Sequence, residues 1–176
     1  MPSDESLRKI LSFLLRLIVL SAPVYAVIWL GLSLVPLQGT VAANSVYMLN
    51  ALGIPASVNG LLITCGITPP FMFYIGPDCT GWKSMLFFFA LVFASAGASM
   101  RKRALGLAAG LPLIYIGNIA RIVVVVLAER VYGLQAAMLL HDWLWQAGLA
   151  ALVIALWLAW LEWVSVKKHI IALAKE

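Results

Sequence analysis

Three side chains able to do chemistry stand out in an otherwise apolar chain. Cys79 lies in Gly76-Pro77-Asp78-Cys79-Thr80-Gly81-Trp82-Lys83-Ser84. Arg121 lies in Asn118-Ile119-Ala120-Arg121-Ile122 and is followed by four valines, and His141 is followed by Asp142. A cysteine, a histidine and an arginine suit acyl transfer. The histidine takes the thiol proton, the thiolate attacks an amide carbonyl, and the guanidinium steadies the oxyanion or holds a carboxylate. Water resolving the thioester makes a protease and an amine makes a transpeptidase; the residues do not choose between them.

Each residue also has a plainer reading. A free cysteine is often a small buried hydrophobe, which suits Cys65 as filler or as a redox partner. Cys79 differs in its company, because a helix N-terminus follows it and favours a thiolate. Lys83 suits a lysine snorkelling to the interface. Arg121 in an apolar run marks either a functional site or an arginine snorkelling to lipid phosphate. Asn118, three residues earlier, shares its face. His141 reads as a helix-start residue, with Asp142 either capping that helix or orienting the imidazole. Ser84 falls in the same region but as a nucleophile would still need His141 as its base. Cys65, Asp78, Cys79 and His141 could in principle assemble a zinc site, but no local pair has metal-ligand spacing; no two carboxylates come together and there is no phosphate-binding glycine loop, so no metal or cofactor is expected.

The elements that must carry these residues follow from composition. The chain has 176 residues, 64% of them hydrophobic and 11% charged, with a mean hydropathy of +1.02. Soluble domains carry about 25% charged residues, so the expected solvent is a bilayer and the fold class an all-α integral membrane protein forming a single domain over residues 1–176. A crossing needs about 20 apolar residues, and four runs qualify, near residues 10–34, 82–98, 104–127 and 143–166. The first is too long for the apolar part of a signal peptide and is expected to be retained. The net charge of +5 is not a case for nucleic acid, because the basic residues cluster beside the apolar runs. Arg8 and Lys9 precede the first run, Arg101, Lys102 and Arg103 fill a tight connection between the second and third, and Lys167 and Lys168 follow the fourth. Four crossings put all three clusters, and both termini, on the cytoplasmic side of the plasma membrane. Trp82, Trp143 and Trp145 then mark the outer interface, and Trp160 and Trp163 the inner one.

Residues 36–80 are expected to form an outer cap: a short surface helix near residues 41–52, then short β-like pieces with turns at Asn59-Gly60 and Pro69-Pro70. With this topology Cys79 sits on the outer side, just before the second run. Arg121 rises to the same level, about 25 Å from the inner end of its helix at 1.5 Å per residue. His141 also lies outside, while His169 on the inner tail cannot join it.

These segments resemble the exosortase/archaeosortase family of membrane cysteine transpeptidases. Cys79-Thr80-Gly81-Trp82-Lys83-Ser84 is similar to the family's Cys-Ser/Thr-Gly…Ser signature at the start of a span. Asn118 to Ile122 is similar to its Asn-x-x-Arg segment, and His141 precedes the last span. The resemblance implies that Cys79 is the nucleophile, His141 the acid/base and Arg121 the electrostatic partner, with Thr80, Gly81, Ser84, Asn118 and Asp142 in support. It implies substrates that are exported proteins ending in a short motif, a hydrophobic helix and a basic cluster. The new C-terminus would pass to a lipid or other amine-bearing acceptor. The small residues of 95–98 and 104–110 suit close packing of a substrate helix or packing within the protein. Two other classes fit the composition: a small transporter subunit with Arg121 as an anion site, and an assembly factor whose outer cap binds a partner. A Cys65–Cys79 disulfide would remove the nucleophile. Oligomeric state is not legible.

Overall fold

A computed structural model describes residues 4–66, 70–143 and 147–173. Among these described residues six α-helices follow in order: α1 (Asp4–Trp29), α2 (Val35–Ala51), α3 (Trp82–Ala94), α4 (Met100–Tyr132), α5 (Leu134–Trp143) and α6 (Leu149–Leu173). Between α2 and α3 run strands β1 (Ala56–Asn59), β2 (Leu62–Cys65) and β3 (Phe71–Tyr74), then a 3-10 turn over Pro77–Thr80. The chain divides into two compact units. One holds residues 1–32, 83–113 and 151–176, and the other residues 33–82 and 114–150. Helix α4 contributes residues 100–113 to the first and 114–132 to the second.

The first unit is helical. Helix α1 continues through Pro23 and stops at Trp29, short of the expected residue 34, because Gly31 takes a left-handed conformation (φ 59°). Its large apolar residues, such as Leu11, Leu15, Ile18 and Trp29, are exposed, a surface that suits hydrocarbon rather than water. Residues 5–29 and helix α4 are each long and apolar enough to cross a membrane. Helix α3 has 13 residues, about 20 Å at 1.5 Å per residue, and with Leu149–Ser165 makes up the shorter apolar helices.

Arg101, Lys102 and Arg103 are not in a loop, as the sequence suggests, but in the opening turn of α4. Two of them donate to backbone carbonyls outside α4. Arg103 Nη2 donates to Ser95 O (2.9 Å), just past α3, and Lys102 Nζ donates to Val164 O (3.2 Å) on α6. The small residues of α4 are used internally: a Cβ on Gly106 would collide with the Trp160 indole, and one on Gly110 with the Phe88 ring. Trp160 is therefore buried, with its Nε1 donating to Lys102 O (3.0 Å), rather than marking an interface. Trp82 is buried too. Trp143 is exposed, and Trp145 lies outside the described residues.

The second unit packs α2, the sheet and the C-terminal half of α4 around one apolar core. Helix α2 begins at Val35, earlier than expected, with Pro36 in its first turn, where a missing N–H costs nothing. Gln38, Val41, Ala42, Ser45 and Leu49 form its buried face, the spacing of one helical stripe. Ser45 is fully buried within this stripe. Gln38 Nε2 donates to Ile75 O (2.7 Å), and Asn50 exchanges two hydrogen bonds with the Ala56 backbone (2.9 and 3.0 Å). The β-like pieces form a three-stranded antiparallel sheet in the order β1-β2-β3. Asn59 pairs with Leu62, so the two-residue turn is Gly60-Leu61, one position later than expected, with Gly60 at φ 62°. Of the expected Pro69-Pro70 turn, Pro69 lies outside the described residues.

Candidate active site

The Cys79 segment does not run straight into a helix. It forms a 3-10 turn closed by Thr80, whose Oγ1 donates to Pro77 O (2.8 Å) while the residue itself is fully buried. Gly81 follows at φ 74°, a conformation that costs a residue with a Cβ about 1–2 kcal/mol. Only then does α3 begin, at Trp82. The left-handed glycine brings the chain against Asn118 on α4: a Cβ on Gly81 would lie 3.2 Å from Asn118 Cβ and Cγ. Asn118 is fully buried, and its Nδ2 donates to the Cys79 carbonyl at 2.7 Å. The two sequence segments therefore meet through a backbone clamp, with Arg121 one helical turn beyond it.

Arg121 does not snorkel. It is 4% exposed, and beyond this burial the Cys79 side chain and the Asp78 carboxylate lie within electrostatic reach. No acceptor reaches Nε, Nη1 or Nη2 in hydrogen-bonding geometry. Cys79, Arg121 and His141 all line one cavity of about 200 Å³.

His141 is not at a helix start. Helix α4 extends to Tyr132, Gly133 stops it at φ 81°, and a separate short helix α5 carries His141 in its last turn. Asp142 is therefore at a helix end and cannot be an N-cap. Its Oδ1 stands 3.3 Å from His141 Nδ1, so an Nδ1–H donates there and Nε2 remains for other work. Asp142 is largely exposed (66%), which keeps this contact weak. Ser84 lies on the first turn of α3 and is counted with the first unit.

Cys65 and Cys79 are both free thiols. Cys65 is fully enclosed in the core, where burial, and then the charge of Glu129, push its thiol up from the ordinary value. It is core filler, as one of its two sequence readings has it.

The cavity walls were not anticipated. They come from Phe71, Phe73 and Ile75 of the sheet region, Val125 and Val126 of α4, and Met138 of α5. Some signals were available. Val125 follows Arg121 by four residues, Met138 precedes His141 by three, and Phe71 and Phe73 alternate on one strand face.

The sequence matches the family model described as transmembrane exosortase (Exosortase_EpsH) over residues 4–161. No curated protein and no solved structure shows a significant match. A match over most of its length shows that this chain belongs to the transmembrane exosortase family.

Proposed function

We propose that the chain is a membrane-embedded cysteine protease/transpeptidase. It cleaves the C-terminal sorting signal of exported proteins and passes the new C-terminus to a lipid or other amine-bearing acceptor. The observation that carries this reading is that a cysteine, a buried arginine and a histidine from three separate segments line one cavity. Membership of the family supports the reaction class.

The chemistry runs in two halves. His141 takes the Cys79 thiol proton, and the thiolate adds to the scissile carbonyl while Arg121 faces the oxyanion. Collapse breaks the C–N bond, the leaving amine takes the proton from His141, and a thioester remains on Cys79. Water or an acceptor amine then attacks that carbonyl and gives a proton to His141. The C–S bond breaks and Cys79 is reprotonated. Four crossings with the three basic clusters inside would put this site at the extracytoplasmic face, where the hydrophobic helix of a substrate would end.

The test compares cells carrying the native chain, Cys79→Ala and Cys65→Ala, reading the C-termini of surface proteins by mass spectrometry. Hydrophobic tails should persist only with Cys79→Ala, and the terminal mass then distinguishes water from an acceptor. Identical termini in all three strains would overturn the proposal.

A further inference from the structure

Arg121 presents the largest unmet hydrogen-bonding demand in the second unit. A guanidinium carries five N–H donors in a planar fork, and here the side chain is 96% enclosed with all three nitrogens lacking an acceptor. The Cys79 thiol beside it is a weak acceptor, and the Asp78 carboxylate acts on it only through its charge. The oxyanion of acyl transfer offers one charged oxygen, and only while the reaction lasts. A carboxylate offers two oxygens at the spacing of the fork and persists.

Resting on the reaction proposed above, we infer that the Arg121 cavity is a binding site for the carboxylate of the acid product. That reaction ends in two kinds of product. When water resolves the thioester, the carbonyl held beside Arg121 becomes a carboxylate. When an amine resolves it, the same carbonyl becomes a neutral amide. The acid therefore stays on Arg121 and occupies the site, while the amide leaves. Hydrolysis is therefore followed by product inhibition at Arg121, which the amide product of transfer does not cause.

The remaining walls specify the rest of the ligand. Phe71, Phe73, Ile122, Val125 and Met138 are apolar, and about 200 Å³ is below the range of pockets that take drug-sized ligands. The site therefore suits a single apolar residue bearing a free carboxylate rather than a long segment.

The experiment uses the full chain carrying Cys79→Ala, in detergent. Two probes are titrated by calorimetry: N-acetyl-Ala-Ala-Leu as the free acid and as the carboxamide. The acid should bind at least tenfold more tightly, with a preference that shrinks in high salt. Arg121→Gln on the same background should abolish that preference. Arg121→Lys, which keeps the charge but loses the fork, should retain only part of it. Equal binding of acid and amide, no binding of either, or an acid preference that survives Arg121→Gln overturns the inference. A separate readout isolates the underlying reaction. The native chain incubated with a substrate peptide should show an acyl adduct on Cys79 by intact mass. If the adduct forms while acid and amide bind alike, only the inference fails; if no adduct forms, the reaction itself is refuted.

Discussion

Gly81→Ala perturbs the candidate site without touching any of the three chemical groups. The φ of 74° costs alanine roughly 1–2 kcal/mol. The added Cβ would also sit 3.2 Å from Asn118 Cβ and Cγ, so the turn or the asparagine must shift by a few tenths of an ångström. That shift stretches the 2.7 Å hydrogen bond from Asn118 to the Cys79 carbonyl, a bond contributing about 0.5–1.5 kcal/mol. Against this, alanine restricts the unfolded chain and returns about 0.4–1 kcal/mol. The balance is a loss of about 2 kcal/mol, enough to lower the population of the clamped turn about 30-fold if the strain is relieved locally. The assay is the rate of Cys79 acylation, measured alongside unfolding in detergent. Slow acylation with a nearly native unfolding midpoint locates the strain in the turn, whereas a lowered midpoint spreads it through the second unit. Asn118→Ala removes the same clamp from the other side, so the double variant should cost less than the sum of the two single ones. A Gly81→Ala chain that acylates and unfolds like the native one would refute the clamp.

Two further expectations follow from packing and burial. Gly106→Ala must displace the Trp160 indole and Gly110→Ala the Phe88 ring, so each should destabilise the first unit by about 1–3 kcal/mol through overpacking. Phe88→Leu should recover part of the loss in the Gly110→Ala background, and a neutral thermal midpoint for either single variant would show that α4 does not pack as described. Cys65, with its thiol pushed up by burial, should resist iodoacetamide in the folded chain while Cys79 is labelled. The unfolded thiol ionises first as pH rises past its ordinary value of 9.0, so Cys65 contributes stability below that pH and loses it above. Cys65→Ala should flatten the alkaline fall in the unfolding midpoint, and an unchanged fall would refute a buried neutral thiol.

The chain was legible where a local signal sufficed and not where a partner from elsewhere decides. Hydropathy located the apolar helices because transfer into hydrocarbon depends on composition. Their ends were misjudged because ends depend on hydrogen bonding: Gly31, Gly97 and Gly133 stop or turn the backbone in left-handed conformations that a hydropathy window does not register. The same insensitivity hid α5, since residues 134–143 are too short to register as a crossing, and so His141 was assigned to the wrong end of a helix. The hairpin could be read from Asn59-Gly60 to within one residue, because turn chemistry is local.

The candidate site divides along the same line. The spacing of Asn118 and Arg121 gives a shared helix face directly, and the types of Cys79, Arg121 and His141 suggest acyl transfer. No spacing rule says that the Asn118 amide is aimed at a backbone carbonyl 39 residues earlier, or that Thr80 is spent on closing its own turn. In this reading the motif residues around the cysteine are not chemical groups. Thr80 closes the turn, Gly81 lets it approach α4, and Asn118 fastens it there, which leaves Cys79 beside the buried Arg121, whose donors meet no acceptor among the described residues. An asparagine three residues from the candidate site's arginine is easily taken for a second chemical group. Its hydrogen bond makes it a positioning residue, so Asn118→Ala should slow acylation through the placement of Cys79 and leave the preference of Arg121 for a carboxylate intact.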